Sequence, residues 1–359
     1  MYLLIALAFA LISFPCFAND KNAAIFIRHG SVVFSEAVPI KDFEDDLKGG
    51  SEPVPGNHAL TYNRLEMGFG WKNFELAHFM REDYVFEFTP DTMNIIYWDK
   101  NKKKIPEGTY DAYLKAQHVK AEGWRVGYRF ALSQDSLVRV SVNYLEAEEL
   151  LYGAIGGSVN VMDDEIKGGN LGVLYYYEED YLLDRPPVIP AEGKGYSFDV
   201  EARFHLQGGW QFDLNFYDLF GEIDWRDAPY TKGTVASTST YVDSNGYAQR
   251  APMMTAVESY QNFTQKLPTF YQLSATKKLY GPLGISYMRE KYDSVEFDRL
   301  FLLCDLAGDF YFKAGYDFTM SATWVGLESD AVSLNIATDD WSLVGAKSLV
   351  LRFNGRWIF

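Results

Sequence analysis

The chain has 359 residues, with 49 Asp and Glu against 33 Lys and Arg and a net charge of -16 at pH 7. That balance excludes nucleic acid as a partner, because phosphates select basic surfaces. Aromatic residues make up 16% of the chain while the mean hydropathy is only -0.18, a pairing unusual for a soluble core but suited to a membrane barrel with interfacial ring girdles and a polar lumen.

Residues 1–18 read MYLLIALAFALISFPCFA, and a polar stretch follows from Asn19. An apolar run this short and this early reads as a secretory signal peptide cleaved after Ala18, with Pro15 breaking its helix and Cys16 and Ala18 at the small-residue positions. It departs from the usual pattern in having no Lys or Arg before the apolar core. A lipid-anchored Cys16 is disfavoured, since Ser13, Phe14 and Pro15 stand where small residues are expected. Cys304 is the sole cysteine beyond residue 18, so no intrachain disulfide is available and it reads as a small apolar side chain. No later stretch reaches the roughly 20 apolar residues of a spanning helix. Residues 19–359 are therefore read as one domain that crosses a membrane as strands.

In chain order, period-two alternation predicts strands over 24–34, 62–70, 73–80, 83–89, 93–99 and 109–117. A clear hairpin follows. Trp124, Val126, Tyr128 and Phe130 alternate with Arg125, Gly127 and Arg129; the chain turns near Gln134 and Asp135; Val138, Val140, Val142 and Tyr144 then alternate with Arg139, Ser141 and Asn143. Strands at 157–162 and 171–178 lead to a second hairpin. There Phe198, Val200, Ala202, Phe204 and Leu206 alternate with Asp199, Glu201, Arg203 and His205, and Gly208 and Gly209 make the turn. Trp210, Phe212, Leu214 and Phe216 alternate with Gln211, Asp213 and Asn215 on the return. The remaining strands are predicted at 270–280, 283–291, 294–304, 308–318, 321–327, 331–337 and 347–359. Most of them approach the roughly 9 to 11 residues of a tilted spanning strand. At about 20 residues per strand with its connection, the expectation is an all-β transmembrane antiparallel β-barrel of about 16 strands, in a range of about 14 to 18.

Long connections are expected at 35–60, 180–195 and 225–268, between short turns such as Gly208-Gly209, Gly281-Pro282 and Thr89-Pro90-Asp91. The last is read as a lumen constriction, with an outward lid or an extra extended hairpin as the other readings.

The chain ends LVLRFNGRWIF. Leu349, Leu351, Phe353, Trp357 and Phe359 share one face, and Val350, Arg352, Asn354, Arg356 and Ile358 the other. The terminal Phe359, with Trp357 two residues before it and Phe353 farther back, resembles the barrel-assembly signal of Gram-negative outer-membrane β-barrel proteins, although Gly355 lies closer to the end than in that pattern. The resemblance is to a class, porin-like in length, and not to one family; the opening strand motifs of the general trimeric porins are absent. It implies the cell outer membrane as location, reached through the periplasm, with lipid and the barrel-assembly machinery as partners. Homo-oligomerisation is left open.

With apolar faces turned to lipid, the polar faces line a lumen. Arg125, Arg129 and Arg139 then cluster on one strand pair. Asp199, Glu201, Arg203 and Asp213 fall on another pair, expected some strands away, and Lys313 and Asp317 on the strand 310–318. Facing patches of fixed charge filter ions and orient polar solutes. The expected function is thus a porin-like channel for diffusion of small hydrophilic solutes, not an enzyme, with no cofactor and no metal. The alternative is a non-transport, plugged barrel whose charges satisfy one another and whose loops bind partners in a surface-assembly or secretion system. A narrow ring-lined interior for apolar ligands is a third reading. Arg28-His29-Gly30 resembles the phosphoryl-accepting motif of histidine phosphatases, but that chemistry needs a second His and further Arg residues on an α/β scaffold. The acidic run Glu44-Asp45-Asp46 lacks the spacing of a calcium loop.

Overall fold

A computed structural model describes residues 23–133, 135–163, 165–179, 189–236, 240–242, 248–250, 254–306 and 309–359. The expected signal peptide, 1–18, lies outside them. The strands are β1 (Ala23–Ser35), β2 (His58–Trp71), β3 (Phe74–Phe88), β4 (Gly108–Ala131), β5 (Leu137–Met162), β6 (Glu165–Tyr177), β7 (Glu192–Leu206), β8 (Trp210–Ala236), β9 (Thr240–Val242), β10 (Ala248–Arg250), β11 (Met254–Lys266), β12 (Phe270–Lys278), β13 (Leu283–Tyr292), β14 (Val295–Asp305), β15 (Tyr311–Asp317), β16 (Ala322–Glu328), β17 (Val332–Thr338) and β18 (Ser348–Ile358).

All but β9 and β10 belong to one 16-stranded sheet, and β9 pairs with β10. Within that sheet β5 pairs with β7, β7 with β8, β8 with β12, and β18 returns to β1, which closes an antiparallel ring of 14 strands. The other two, β6 and β11, form an upper tier. The 27-residue β8 pairs with β7 and β12 along its first part, and with β6 and β11 along its last part. The sequence expectation is about 16 strands in a range of about 14 to 18; the ring that bounds the lumen has 14, and the two strands outside it bring the sheet to 16.

The two chain ends meet, with the N–H of Ala23 donating to the carbonyl of Phe359 and the N–H of Phe359 to that of Ala23. Connections at this end of the barrel are short, at 72–73, 207–209 and 329–331 for example. The opposite rim is uneven. Strands β4, β5 and β8 run 24, 26 and 27 residues, whereas β15, β16 and β17 run 7 each. A spanning strand needs about 9 to 11, so one side of the barrel rises as a tall wall.

Alternation along the strands produces a barrel that is inverted relative to a soluble core. Trp124 and Val126 are 53% and 54% exposed while Arg125 between them is 1% exposed. The outward face elsewhere carries Met67, Phe69, Leu76, Val142, Leu273, Leu300, Leu302, Val325, Leu334 and Leu351. Buried on the inner side are Glu66, Glu75, Arg81, Asp199, Glu290 and Arg299. Apolar side chains exposed on strand after strand contrast with water-soluble monomers, whose contiguous apolar patches rarely exceed a few hundred Å². Its upper edge on the tall side is a row of rings, Trp124, Tyr144 and Tyr196, which are cross-strand partners; the next outward row is Glu122, Glu146 and Lys194. Aromatic rings at the edge of an apolar band, followed by charge, follow the pattern of the girdles that border membrane barrels.

Several sequence expectations change. The segment 93–99, expected as a strand, lies in a helix, Pro90–Lys100, in which the N–H of Thr92 donates to the capping Thr89 side chain and Met93 and Tyr97 are buried one turn apart. Pro at the first helical position and a capping Thr outweigh a short apolar run that fits either period. This helix and the short one at Ile40–Glu44 lie over the outer face of the upper β2–β4, against Ala59, Phe86, Phe88 and Leu114. The pairs 73–80 with 83–89, 109–117 with 124–130, and 138–144 with 157–162 each merge into one long strand. Segment 225–268, preferred as a constriction, instead runs as the paired strands β8 and β11 over most of its described residues. Both faces of this tier carry polar residues, so period-two hydrophobicity fades there. The expected loop 180–195 falls partly outside the described residues.

Candidate functional site

Most of the interior charges are paired with one another. Arg125 Nη2 lies 2.5 Å from Glu66 Oε1 and 3.4 Å from Glu75 Oε2. Glu75 also accepts from Arg129 at 2.6 Å and Arg139 at 2.7 Å, and Arg139 reaches Glu201 as well. Arg28 joins from β1, 3.1 Å from Glu66, and Arg64 lies 3.5 Å from Glu66 and 3.8 Å from Asp199. Five guanidinium groups on β1, β2, β4 and β5, four of five consecutive strands, thus share Glu66, Glu75, Asp199 and Glu201. The ring of Phe26 lies beneath them, 4.5 Å from the Arg28 guanidinium, in space left by Gly68, where a Cβ would sit 2.4 Å from its Cζ.

Above this network, side chains from facing walls touch across the lumen. Tyr62 on β2 stacks on Phe270 of β12, with centroids 5.4 Å apart, and meets Tyr292 of β13 at 5.3 Å. Phe270 also lies 5.7 Å from Tyr217 of β8, and Phe34 of β1 lies 5.4 Å from Phe297 of β14. Two buried ionic clusters brace the layer. Arg81 Nη1 of β3 donates to Asp218 of β8 at 2.8 Å and its Nε to Asp83 at 2.9 Å. Arg299 of β14 contacts Glu290 and donates from Nε to Asp317 at 2.6 Å, beneath the face of Trp324, 4.5 Å from its centroid. Arg352 grips the same Glu290 with two bonds of 2.6 and 2.8 Å.

Between the short turns and this layer lies a cavity of about 860 Å³, at the upper end of the 300–1,000 Å³ typical of small-ligand sites. Its lining runs from Gly209, Lys278, Asp305 and Asp330 at the turns to Tyr62, Phe270, Phe301 and Trp324 at the roof. Arginines and lysines outnumber carboxylates along it, Arg356 and Lys277 among them, although the chain as a whole is acidic.

Of the residues singled out in the sequence, Arg125, Arg129, Arg139, Asp199, Glu201, Arg203, Asp213 and Lys313 line this cavity. Asp317 does not; it sits with Arg299, where it also accepts the N–H groups of Thr319 and Met320 at 2.9 and 2.8 Å. The separation expected between the Arg and Asp/Glu clusters is corrected: β6 is lifted into the upper tier, β5 and β7 become neighbours, and Arg139 is the cross-strand partner of Glu201. Arg203 pairs with Asp213 at 2.6 Å and Lys313 with Glu328 at 3.3 Å. Trp357 is 38% exposed on the outer face, and its ring and that of Phe353 would meet a Cβ at Gly355. Arg28 and His29 alternate along β1, and Arg28 is drawn into the Glu66 network, so they do not form a common phosphate clamp. The sequence reading missed Arg28, Arg64, Glu66, Glu75, Arg81, Glu290, Arg299 and the ring layer. Inward parity was the available signal for Glu66 and Glu75, which alternate with the outward Met67, Phe74 and Leu76.

No protein-family model matches this sequence, and no curated protein matches it. Among solved structures, a deletion mutant of the monoaromatic hydrocarbon channel TodX is 9% identical, covers 97% of this chain and 92% of its own, and gives a TM-score of 0.43. The monoaromatic hydrocarbon channel CymD is 8% identical over 94% of this chain and 88% of its own, with a TM-score of 0.44. The Ralstonia pickettii toluene transporter TbuX is 7% identical over 95% and 90%, with a TM-score of 0.34. At these values the likeness is one of outline and says nothing of the ligand.

Proposed function

We propose that the chain is an outer-membrane β-barrel that admits a small amphipathic solute through a lumen closed at rest. The apolar exterior, its ring-edged boundary and the closed 14-stranded ring support membrane residence. Short turns at the end where the termini meet support a periplasmic position for that end and for the cavity mouth. The observation that carries the reading is the contact of Tyr62 with Phe270 and Tyr292 across the lumen, directly above a basic cavity. A charged wall under an aromatic roof suits a solute with an apolar ring or chain and an anionic end. Cross-lumen contact disfavours the open hydrophilic pore expected from the charge pattern alone.

The partner-binding alternative has one observation in its favour, the wall of β4, β5 and β8 that projects beyond the apolar band. Solute entry into vesicles separates the readings. With the purified chain in liposomes, an aromatic carboxylate of the benzoate class is expected to enter at least ~10-fold faster than a neutral monosaccharide, a preference of about 1.4 kcal/mol. Equal entry of both would restore the open porin, and exclusion of both would favour the plugged, partner-binding barrel.

A further inference from the structure

On the outer face of the tall wall, above the row of rings, β5 carries a bulge. Lys120 pairs with Glu149 and Ala121 with Ala147, which leaves Glu148 unmatched. Bulges re-aim neighbouring side chains and concentrate at functional places. Here Glu82, Lys120 and Glu149 are cross-strand partners in one row, with His118 and its partner Tyr84 in the next. His118 is 5% exposed and its ring stacks on Tyr84 at 3.8 Å. Its Nε2 is buried and has no hydrogen-bond partner among the described residues. That nitrogen points between two carboxylates, 3.7 Å from Glu82 Oε1 and 3.9 Å from Glu149 Oε2.

We propose that Glu82, His118 and Glu149 form a binding site for a first-row divalent transition-metal ion, with zinc as its reference ion and water at a fourth position. One ligand atom from each residue lies within 4.8 Å of the other two. A tetrahedral zinc with Zn–N and Zn–O bonds of about 2.0 to 2.2 Å spaces its ligands by about 3.4 Å, so the imidazole nitrogen and each carboxylate oxygen, 3.7 and 3.9 Å apart, need to close by a few tenths of an ångström, and the two carboxylate oxygens, which lie within 4.8 Å of each other, by no more than ~1.4 Å. An imidazole with two carboxylates suits zinc, whereas calcium takes about 6 to 8 oxygens. Lys120 Nζ bonds to the other oxygen of Glu149, 2.5 Å away. It thereby orients the carboxylate and leaves Oε2 for the ion, the arrangement expected of an outer partner to a ligand. An ion held here clips β3, β4 and β5 together at the bulge, outside the membrane band and independently of the cavity.

The test uses the full chain folded in detergent, freed of metal by chelation and titrated with zinc ions alone by calorimetry. One ion per chain is expected. His118→Phe keeps the stack on Tyr84 and is expected to weaken binding by more than ~100-fold, since loss of an outer partner alone costs about 10- to 100-fold. Glu82→Gln and Glu149→Gln, which keep shape and remove charge, are expected to weaken it at least ~10-fold; they carry the test if the His118 variant fails to show the heat-modifiable migration of a folded barrel. Absence of binding by the unmodified chain at millimolar zinc overturns the proposal. So does an affinity unchanged in these variants, which would place the ion at another surface group such as His58 or His205.

Discussion

Replacing Arg299 by Met is expected to lower the unfolding free energy of the barrel by roughly 3 to 5 kcal/mol, the loss that follows when one partner of a buried ionic group is removed. Arg299 is fully buried and stands between Glu290 and Asp317, which are themselves 1% and 0% exposed. Without it, Arg352 still neutralises Glu290, and Asp317 is left buried with no other ion-pair partner among the described residues. The double variant Arg299→Met with Asp317→Asn is therefore expected to recover most of the loss. An Asn oxygen still accepts the N–H groups of Thr319 and Met320 that Asp317 holds now. Urea unfolding in lipid vesicles measures both. A single variant within ~0.5 kcal/mol of the parent, the range of surface substitutions, would mean that water solvates this cluster and that the interior is open at its level.

Val126→Arg is expected to cost more than ~1 kcal/mol, since a cation on the lipid face of a barrel costs about 2 to 4 kcal/mol at the midplane and about 0 to 1 at the interfaces. Val126 is 54% exposed, within the apolar band and below the boundary row that contains Trp124. On a water-facing surface the same change falls within about 0.5 kcal/mol, so the two settings differ by a margin that unfolding measurements resolve. A near-neutral result would remove the membrane from the account while leaving the fold intact.

The strands that proved legible are those with rings or branched aliphatics on one face and charge on the other. Trp124 to Tyr144 gave direction as well as existence, because Val126 beside Arg125 has one reading once the exterior is lipid. Where charge occupies both faces the signal vanishes. Glu290 lies between Arg289 and Lys291, and Arg299 follows Asp298; the outward members pair with each other, Arg289 with Asp298 at 2.8 Å and Lys291 with Glu296 at 2.9 Å. Period-two hydrophobicity cannot tell those residues from the buried ones. The adjacency of Arg139 and Glu201 was hidden for another reason. It depends on β6 leaving the ring, and β6 looks like any other strand until its partners are known. The ring layer is less legible still, since Tyr62 and Phe270 are 208 positions apart and meet only through closure of the barrel and the register of every strand between them.

Single-channel recording of the purified chain in a planar bilayer, beside its Tyr62→Ala, Phe270→Ala double variant, tests the closed lumen most directly. No steady ion conductance is predicted for the unmodified chain, and stable conductance steps for the variant, from which two of the rings that meet across the lumen are gone. Steady steps in the unmodified chain, unchanged in the variant, would contradict it and return the protein to the open, hydrophilic pore.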